Sequence, residues 1–305
     1  SQQTSWGTFY PLLLAYAFCY MPTLSLTNSI SFHHVTDSAR DFPLIRVLGT
    51  IGWIMAGVAV NDQASTSFIF VLPAVLSAVL GVYSFFLPDT PPKGAGAGSS
   101  LRQVLGLDAL TLFKDRSYTI FFAGSILLCV PLSFYYAFTG DFLSASGVEN
   151  VTSVMGLLGQ GSEVLFMLLL PYFLLRLGVR NILLIAMLAW VARYVSLSMG
   201  GPDLRWPLYL GVLLHGICYD FFFVTGFVYT DQKAGEGIKS SAQGLFTIAT
   251  YGVGMTLGSY LGGAVADIFT RDGVRDWSGL WLVPAAIAGV ILVAFLLVFK
   301  EKKPA

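Results

Sequence analysis

The sequence predicts an all-α polytopic membrane protein, and three observations carry that expectation. Only 11% of its 305 residues are charged and 55% are hydrophobic, whereas soluble domains carry about 25% charged residues. The mean hydropathy is +0.73. Nine apolar runs follow one another along the chain, each long enough to cross a bilayer as a helix.

The runs fall at about 8–32, 44–60, 66–87, 117–140, 151–175, 181–199, 206–230, 241–265 and 278–299. Their connections are short and polar except for 88–116. That stretch opens Pro88-Asp89-Thr90-Pro91-Pro92-Lys93 and continues Gly94-Ala95-Gly96-Ala97-Gly98-Ser99-Ser100, a composition of turns and flexible coil. Residues 101–113 after it are expected to form an interfacial helix. The chain therefore divides into 1–87, three spans of an N-terminal bundle; 88–116, a linker; and 117–305, a six-helix bundle with a short tail.

Basic residues orient these spans. One set of ends holds Arg40; Lys93, Arg102, Lys114 and Arg116; Arg176 and Arg180; Lys233 and Lys239; and Lys300, Lys302 and Lys303. The opposite ends hold Arg205, Arg271 and Arg275. This asymmetry places the linker and the C-terminus in the cytoplasm. An odd number of spans then puts Ser1 outside. Three spans before the linker and six after it suggest a six-plus-six bundle lacking its first three helices, about 75–100 residues.

The informative residues are the polar ones inside the runs, because an ionisable group in the bilayer costs about 2.5–3.5 kcal/mol on insertion scales unless it meets a partner or water. In the seventh run, Leu213-Leu214-His215-Gly216-Ile217-Cys218-Tyr219-Asp220 is followed by Phe221-Phe222-Phe223. Tyr219 lies one turn after His215. Asp220 lies roughly 140° round the helix from His215, an arc that suits a cavity wall. Its carboxylate can hold a hydroxyl pair, bind a cation, or pair with Arg193 or Arg46.

The fifth run places Gln160 and Glu163 at i, i+3 near the midplane. Glu163 there can exchange a proton, and the Gln160 amide both donates and accepts, which suits a nucleobase or a sugar. An interhelical hydrogen-bond pair is the plainer alternative. In the second run Arg46, Thr50 and Trp53 recur at i, i+4, i+7 and share one stripe. They offer fixed donors, a hydroxyl and a flat stacking face; the alternative for Arg46, close to Pro43, is snorkelling to the surface. Arg193 is expected to pair with an acid. Asn28 and Thr27 suit interhelical bonding, and Gly254, Gly258 and Gly262-Gly263 suit helix packing. The expectation from these residues together is a polar pathway through the bilayer.

Other chemistries lack their residues. No nucleophile elbow, HExxH or phosphate-binding glycine loop is present, so no enzyme activity and no cofactor are expected. Cys19, Cys129 and Cys218 lie in apolar runs without metal-ligand spacing, and His33-His34 sits at a helix end where water reaches it. The 17 basic residues balance 17 acidic ones, which gives no reason to expect a nucleic-acid partner.

Several stretches give the chain a resemblance. Tyr20-Met21-Pro22-Thr23-Leu24 with Asn28, Asp41-Phe42-Pro43 through Arg46 to Gly49-Thr50-Ile51-Gly52, and Leu105-Gly106-Leu107-Asp108-Ala109 form one group. Gln160 with Ser162-Glu163, Tyr219-Asp220-Phe221-Phe222 and Ser241-Ala242-Gln243-Gly244 form another. On these the chain resembles the nucleoside:proton symporter family of the major facilitator superfamily over essentially its whole length. The resemblance aligns the start of the chain with the fourth helix of a twelve-helix fold. It implies import of purine and pyrimidine nucleosides, driven by a proton, across a bacterial inner membrane by a monomer. It places Arg46, Thr50, Gln160, Glu163 and Asp220 at matching cavity positions. Trp53, His215 and Tyr219 replace aromatic residues of other types, and Ser133 and Tyr136 replace amides.

The expected function is thus a proton-coupled secondary transporter with a central polar cavity opening alternately to either side. Arg46, Thr50, Trp53, Gln160, Glu163, His215, Tyr219 and Asp220 would bind the nucleoside, and Glu163 or Asp220 would carry the proton. A sugar or polyol carrier is the alternative within transport; a membrane receptor or scaffold with a sealed polar core is the alternative outside it.

Overall fold

A computed structural model describes residues 5–61, 67–91 and 106–301. Its helices are α1 (Trp6–His34), α2 (Ser38–Asn61), α3 (Phe68–Tyr83), α4 (Arg116–Ala145), α5 (151–177), α6 (179–199), α7 (206–233), α8 (239–268) and α9 (Trp277–Val298). Seven helical runs among the described residues are long and apolar enough to cross a membrane. One of them, Val151–Met199, is 49 residues long and contains two spans. Gly178 divides it into α5 and α6, at φ 73° and ψ 165°, a conformation that glycine adopts freely and other residues resist. The run α8 is not among the seven, because serine, threonine and glycine dilute its apolar character. All nine expected spans are helical.

Local sequence sets the ends. Asp115 caps α4, accepting from the backbone N–H groups of Ser117 at 2.8 Å and Tyr118 at 3.2 Å. Asp276 caps α9 through the Gly279 N–H at 3.0 Å. Such caps satisfy donors that the first turn leaves open. Between α8 and α9 a two-residue hairpin pairs Thr270–Arg271 with Val274–Arg275; Asp272 and Gly273 take positive φ at its turn.

The linker is only partly described, since 92–105 lie outside the described residues. Its C-terminal end is folded. Leu107–Lys114 forms a 3-10 helix that buries Ala109 and Leu112, and Phe113 meets Phe122 of α4 edge-on at 4.8 Å. Of the expected interfacial helix, 101–105 lie outside the described residues, and the described part docks on the bundle.

The packed core lies in α4–α9. Within the best 18-residue window of each span, 67% is buried for the α4 span and 83% for the α7 span, against 0% for α1 and α3. Phe121, Phe246, Tyr229 and Phe222 fill the centre, with Phe121 stacked on Phe246 at 5.4 Å. Glycines bring α8 onto α4. A Cβ at Gly254 would lie 2.8 Å from the Ile126 carbonyl oxygen, and one at Gly258 would lie 2.8 Å from the Val130 Cα. The packing face expected from the glycine spacing is therefore present. Helices α1 and α2 pack against this bundle, α2 chiefly on the helical run that begins at Gly161. Phe32 stacks on Phe42 at 4.2 Å and Phe42 meets Phe227, while Ser29 and Ser240 share a hydrogen bond of 2.5 Å.

Three helices open into π-helical turns: Met155–Gln160 in α5, Asp220–Val224 in α7 and Ile248–Gly254 in α8. Such turns are rare and frequently mark functional positions. Each here holds a polar or hydroxyl-bearing residue of the site: Gln160, Asp220 or Tyr251.

Candidate functional site

Glu163 is the centre of the site. It lies just past the π turn of α5 and is buried, with 7% of its surface exposed. Thr50 of α2 donates to its Oε1 at 2.6 Å, a short, charge-assisted bond. His215 of α7 places Nε2 3.5 Å from Oε2. The carboxylate therefore links the N-terminal helices to two helices of the C-terminal bundle.

The backbone of α7 is stitched to α5 at this point. Ser162 donates its hydroxyl to the Gly159 carbonyl at 2.7 Å and accepts from the Gly216 N–H at 3.0 Å. Only glycine fits at position 216: a Cβ there would come within 2.7 Å of the Glu163 nitrogen. The close approach places His215, one residue earlier, against Glu163.

Around His215 stands a set of rings. It stacks on Tyr135 at 5.2 Å and 16° and on Tyr219 at 5.8 Å and 24°, and meets Tyr136 edge-on at 6.3 Å. The Tyr219 hydroxyl is hydrogen-bonded to that of Tyr251 in α8. Arg46 of α2 is half-buried and lies within electrostatic reach of Glu163, Tyr219 and Tyr251. It is directed into the site rather than snorkelling to the surface.

Asp220 is completely buried, and neither of its carboxylate oxygens has a protein hydrogen-bond partner. Unpaired polar groups are costly at this depth, so their presence calls for a functional reason. It forms no ion pair with Arg46 or Arg193 among the described residues, although it shares the electrostatic surroundings of Glu163 and Arg46. Gln160, one turn before Glu163, is half-buried. The arrangement offers a carboxylate already engaged on both oxygens, a second carboxylate that is free, an amide, a guanidinium and aromatic faces. Such a set can hold a polar ring-bearing solute and exchange a proton.

Of the sequence-predicted residues, the structure brings Thr50, Glu163, His215 and Tyr219 into one network with Arg46 beside it. Asp220 and Gln160 border that network without bonding to it. Trp53 does not join: it shares the stripe of Arg46 and Thr50, yet its ring keeps 67% of its surface exposed and has no ring contact among the described residues. Arg193 also departs from expectation. Its charge meets no acid among the described residues; it lies over the rings of Tyr135 and Trp190, with Cζ 3.9 Å and 5.3 Å from their centroids.

Asn28 is buried as expected, but no interhelical bond from it is formed among the described residues. Of the three cysteines in apolar runs, Cys129 and Cys218 are buried and Cys19 is exposed. Tyr135 and Tyr251 are site residues that sequence reasoning missed, because tyrosine in an apolar run reads as core. The signal for Tyr251 was its setting, Thr247-Ile248-Ala249-Thr250-Tyr251-Gly252, where small and hydroxyl residues loosen the helix. Shallow grooves beside Met255 and Tyr260 and along α3 contain no charged residue and lie apart from this network.

Residues 1–304 match the family model described as nucleoside H+ symporter. The candidate nucleoside transporter YegT of Escherichia coli (strain K12) is 43% identical over 319 residues, covering 99% of this chain and 75% of YegT. Nucleoside permease NupG of the same organism is 35% identical over 320 residues, covering 99% of this chain and 76% of NupG. A crystal structure of an aspartate-to-alanine variant of NupG superposes with a TM-score of 0.78 at 34% identity, over 98% of this chain and 79% of that one.

Proposed function

The chain belongs to the nucleoside H+ symporter family, transporters and not enzymes, and from that membership we propose that it carries nucleosides across the membrane together with protons. The observation that supports this reading best is the Thr50–Glu163–His215 connection. It joins the two groups of helices through a buried acid, which is where a carrier of this architecture binds its solute. Alternation then follows from that joint: whatever opens it on one side must break or remake the bonds of Glu163, and solute or proton binding biases that choice.

In this reading Glu163 and Asp220 accept hydrogen bonds from the ribose hydroxyls. Gln160, Arg46 and Thr50 hold base or sugar oxygens, and His215 and Tyr219 present aromatic faces to the base. The proton rides on Glu163 or Asp220. The protein works as a monomer in a bacterial inner membrane with its C-terminus in the cytoplasm, and the proton is its only coupling ion.

Proteoliposomes with an imposed pH gradient test the proposal. Labelled uridine is expected to accumulate above equilibrium, to exchange in counterflow, and to be displaced by unlabelled nucleosides but not by free sugars. Displacement by free sugars would make it a polyol carrier. Saturable binding without counterflow would make it a receptor or scaffold.

A further inference from the structure

Arg193 lies outside the solute-binding set, and nothing so far accounts for a cation at its depth. It is completely buried in α6. Its Nε donates to the Gly211 carbonyl at 3.1 Å, and both terminal nitrogens lack hydrogen-bond partners among the described residues. A counter-ion would be the ordinary way to hold such a charge; here the Tyr135 ring is its nearest support, at 3.9 Å. That same ring is the one on which His215 stacks, at 5.2 Å and nearly parallel. One tyrosine thus supports both a permanent cation and the imidazole that faces Glu163.

We propose that Arg193 is a positioning residue that acts through Tyr135 to hold His215 as an uncharged N–H donor to Glu163, leaving proton uptake to the carboxylates and not to the imidazole. A second observation points the same way. His215 Nδ1 is buried and has no partner. A charged imidazole would carry a proton there with nothing to accept it, whereas the neutral ring places its single N–H on Nε2, toward Glu163.

The charged groups facing His215 are Glu163 from α5 and Arg193 from α6. Tyr135 and Tyr136 from α4 and Tyr219 from α7 contact the ring without charge. Arg46 and Asp220 act on Glu163. Burial disfavours a charged ring with or without Arg193; removing the Arg193 charge takes away a second such influence, so the imidazole should charge more readily than in the unsubstituted protein.

The role given to the proton rests on the transport reading above, but the test does not require transport. The chain has three histidines, His33, His34 and His215, and the first two are exposed. Nitrogen NMR of protein labelled at histidine reports the charge of each ring, with His215→Gln identifying the His215 signal. His215 is expected to stay neutral at neutral pH. In Arg193→Gln, which keeps a donor for the Gly211 carbonyl, the His215 titration should move up. Arg193→Lys, which keeps the charge, should stay near the unsubstituted protein.

A charged His215 at neutral pH, or equal titrations with and without the Arg193 charge, overturns the proposal. Should Arg193→Gln not fold, the unsubstituted spectrum decides together with His215→Gln. Absence of uridine uptake with His215 neutral would count against the transport reading alone.

Discussion

Thr50 and Glu163 form the shortest polar contact between the N-terminal helices and the C-terminal bundle at the site, 2.6 Å and buried. Removing the donor leaves a buried carboxylate oxygen unsatisfied, a loss of about 1–3 kcal/mol. Thr50→Val is therefore expected to weaken uridine uptake about tenfold or more, read as a raised KM or a lowered rate, with the protein still folded. A Thr50→Val protein with unchanged uptake would remove this bond from the mechanism. Glu163, His215 and Asp220 were legible in the sequence, because ionisable groups within apolar runs have few structural excuses. Thr50 was legible through its helical spacing from Arg46. The roles of Tyr135 and Arg193 were not: whether a buried arginine faces an acid or a ring is decided by which helix packs beside it, and spacing along the chain holds no record of that.

At the scale of the helix, glycine and capping residues carry the next expectations. Gly258 lets α8 approach α4 so closely that a side chain would meet the Val130 backbone. Gly258→Val should overpack this interface by about 1–3 kcal/mol and lower the thermal midpoint in detergent. Gly263→Ala, where a Cβ meets nothing within 4 Å, should change it little. Equal effects from both would show that close packing is not the reason for the glycines.

Asp115 caps α4 and binds Lys233 of α7 at 2.7 Å. Partial burial pushes its carboxyl up, but Lys233 and the Tyr118 and Ser117 N–H groups outweigh that and hold it below the ordinary carboxylate range. A depressed folded value contributes stability that is present above the unfolded value of about 3.9 and is lost as pH falls through the folded one. Asp115→Asn should therefore be less stable at neutral pH and show a flatter loss below pH about 4, measured by thermal unfolding across pH. An unchanged acid limb would contradict it. The helices themselves were readable from hydropathy, whereas the π turns at Gln160, Asp220 and Tyr251 were not. Such turns are rare and short, and a run of apolar residues reads the same with or without one.

Across the whole molecule, one arrangement gives the separate observations a common purpose. The six C-terminal helices form the packed body, α1 and α2 pack against it, and one of the contacts is a buried acid. An acid within the interface between helix groups makes its rearrangement sensitive to a proton and to a hydrogen-bonding solute. The sequence already indicated a polar path, from acids and amides at bilayer depth. It did not indicate that Glu163 would be engaged on both oxygens while Asp220 had no partner, since that difference depends on side chains from four helices.

The most direct test is gradient-driven uridine accumulation by Glu163→Gln and Asp220→Asn in proteoliposomes, with counterflow measured alongside. The account predicts that at least one of the two loses accumulation above equilibrium, because a carboxyl that carries the coupling proton cannot be replaced by an amide. Full proton-driven accumulation by both variants would contradict it.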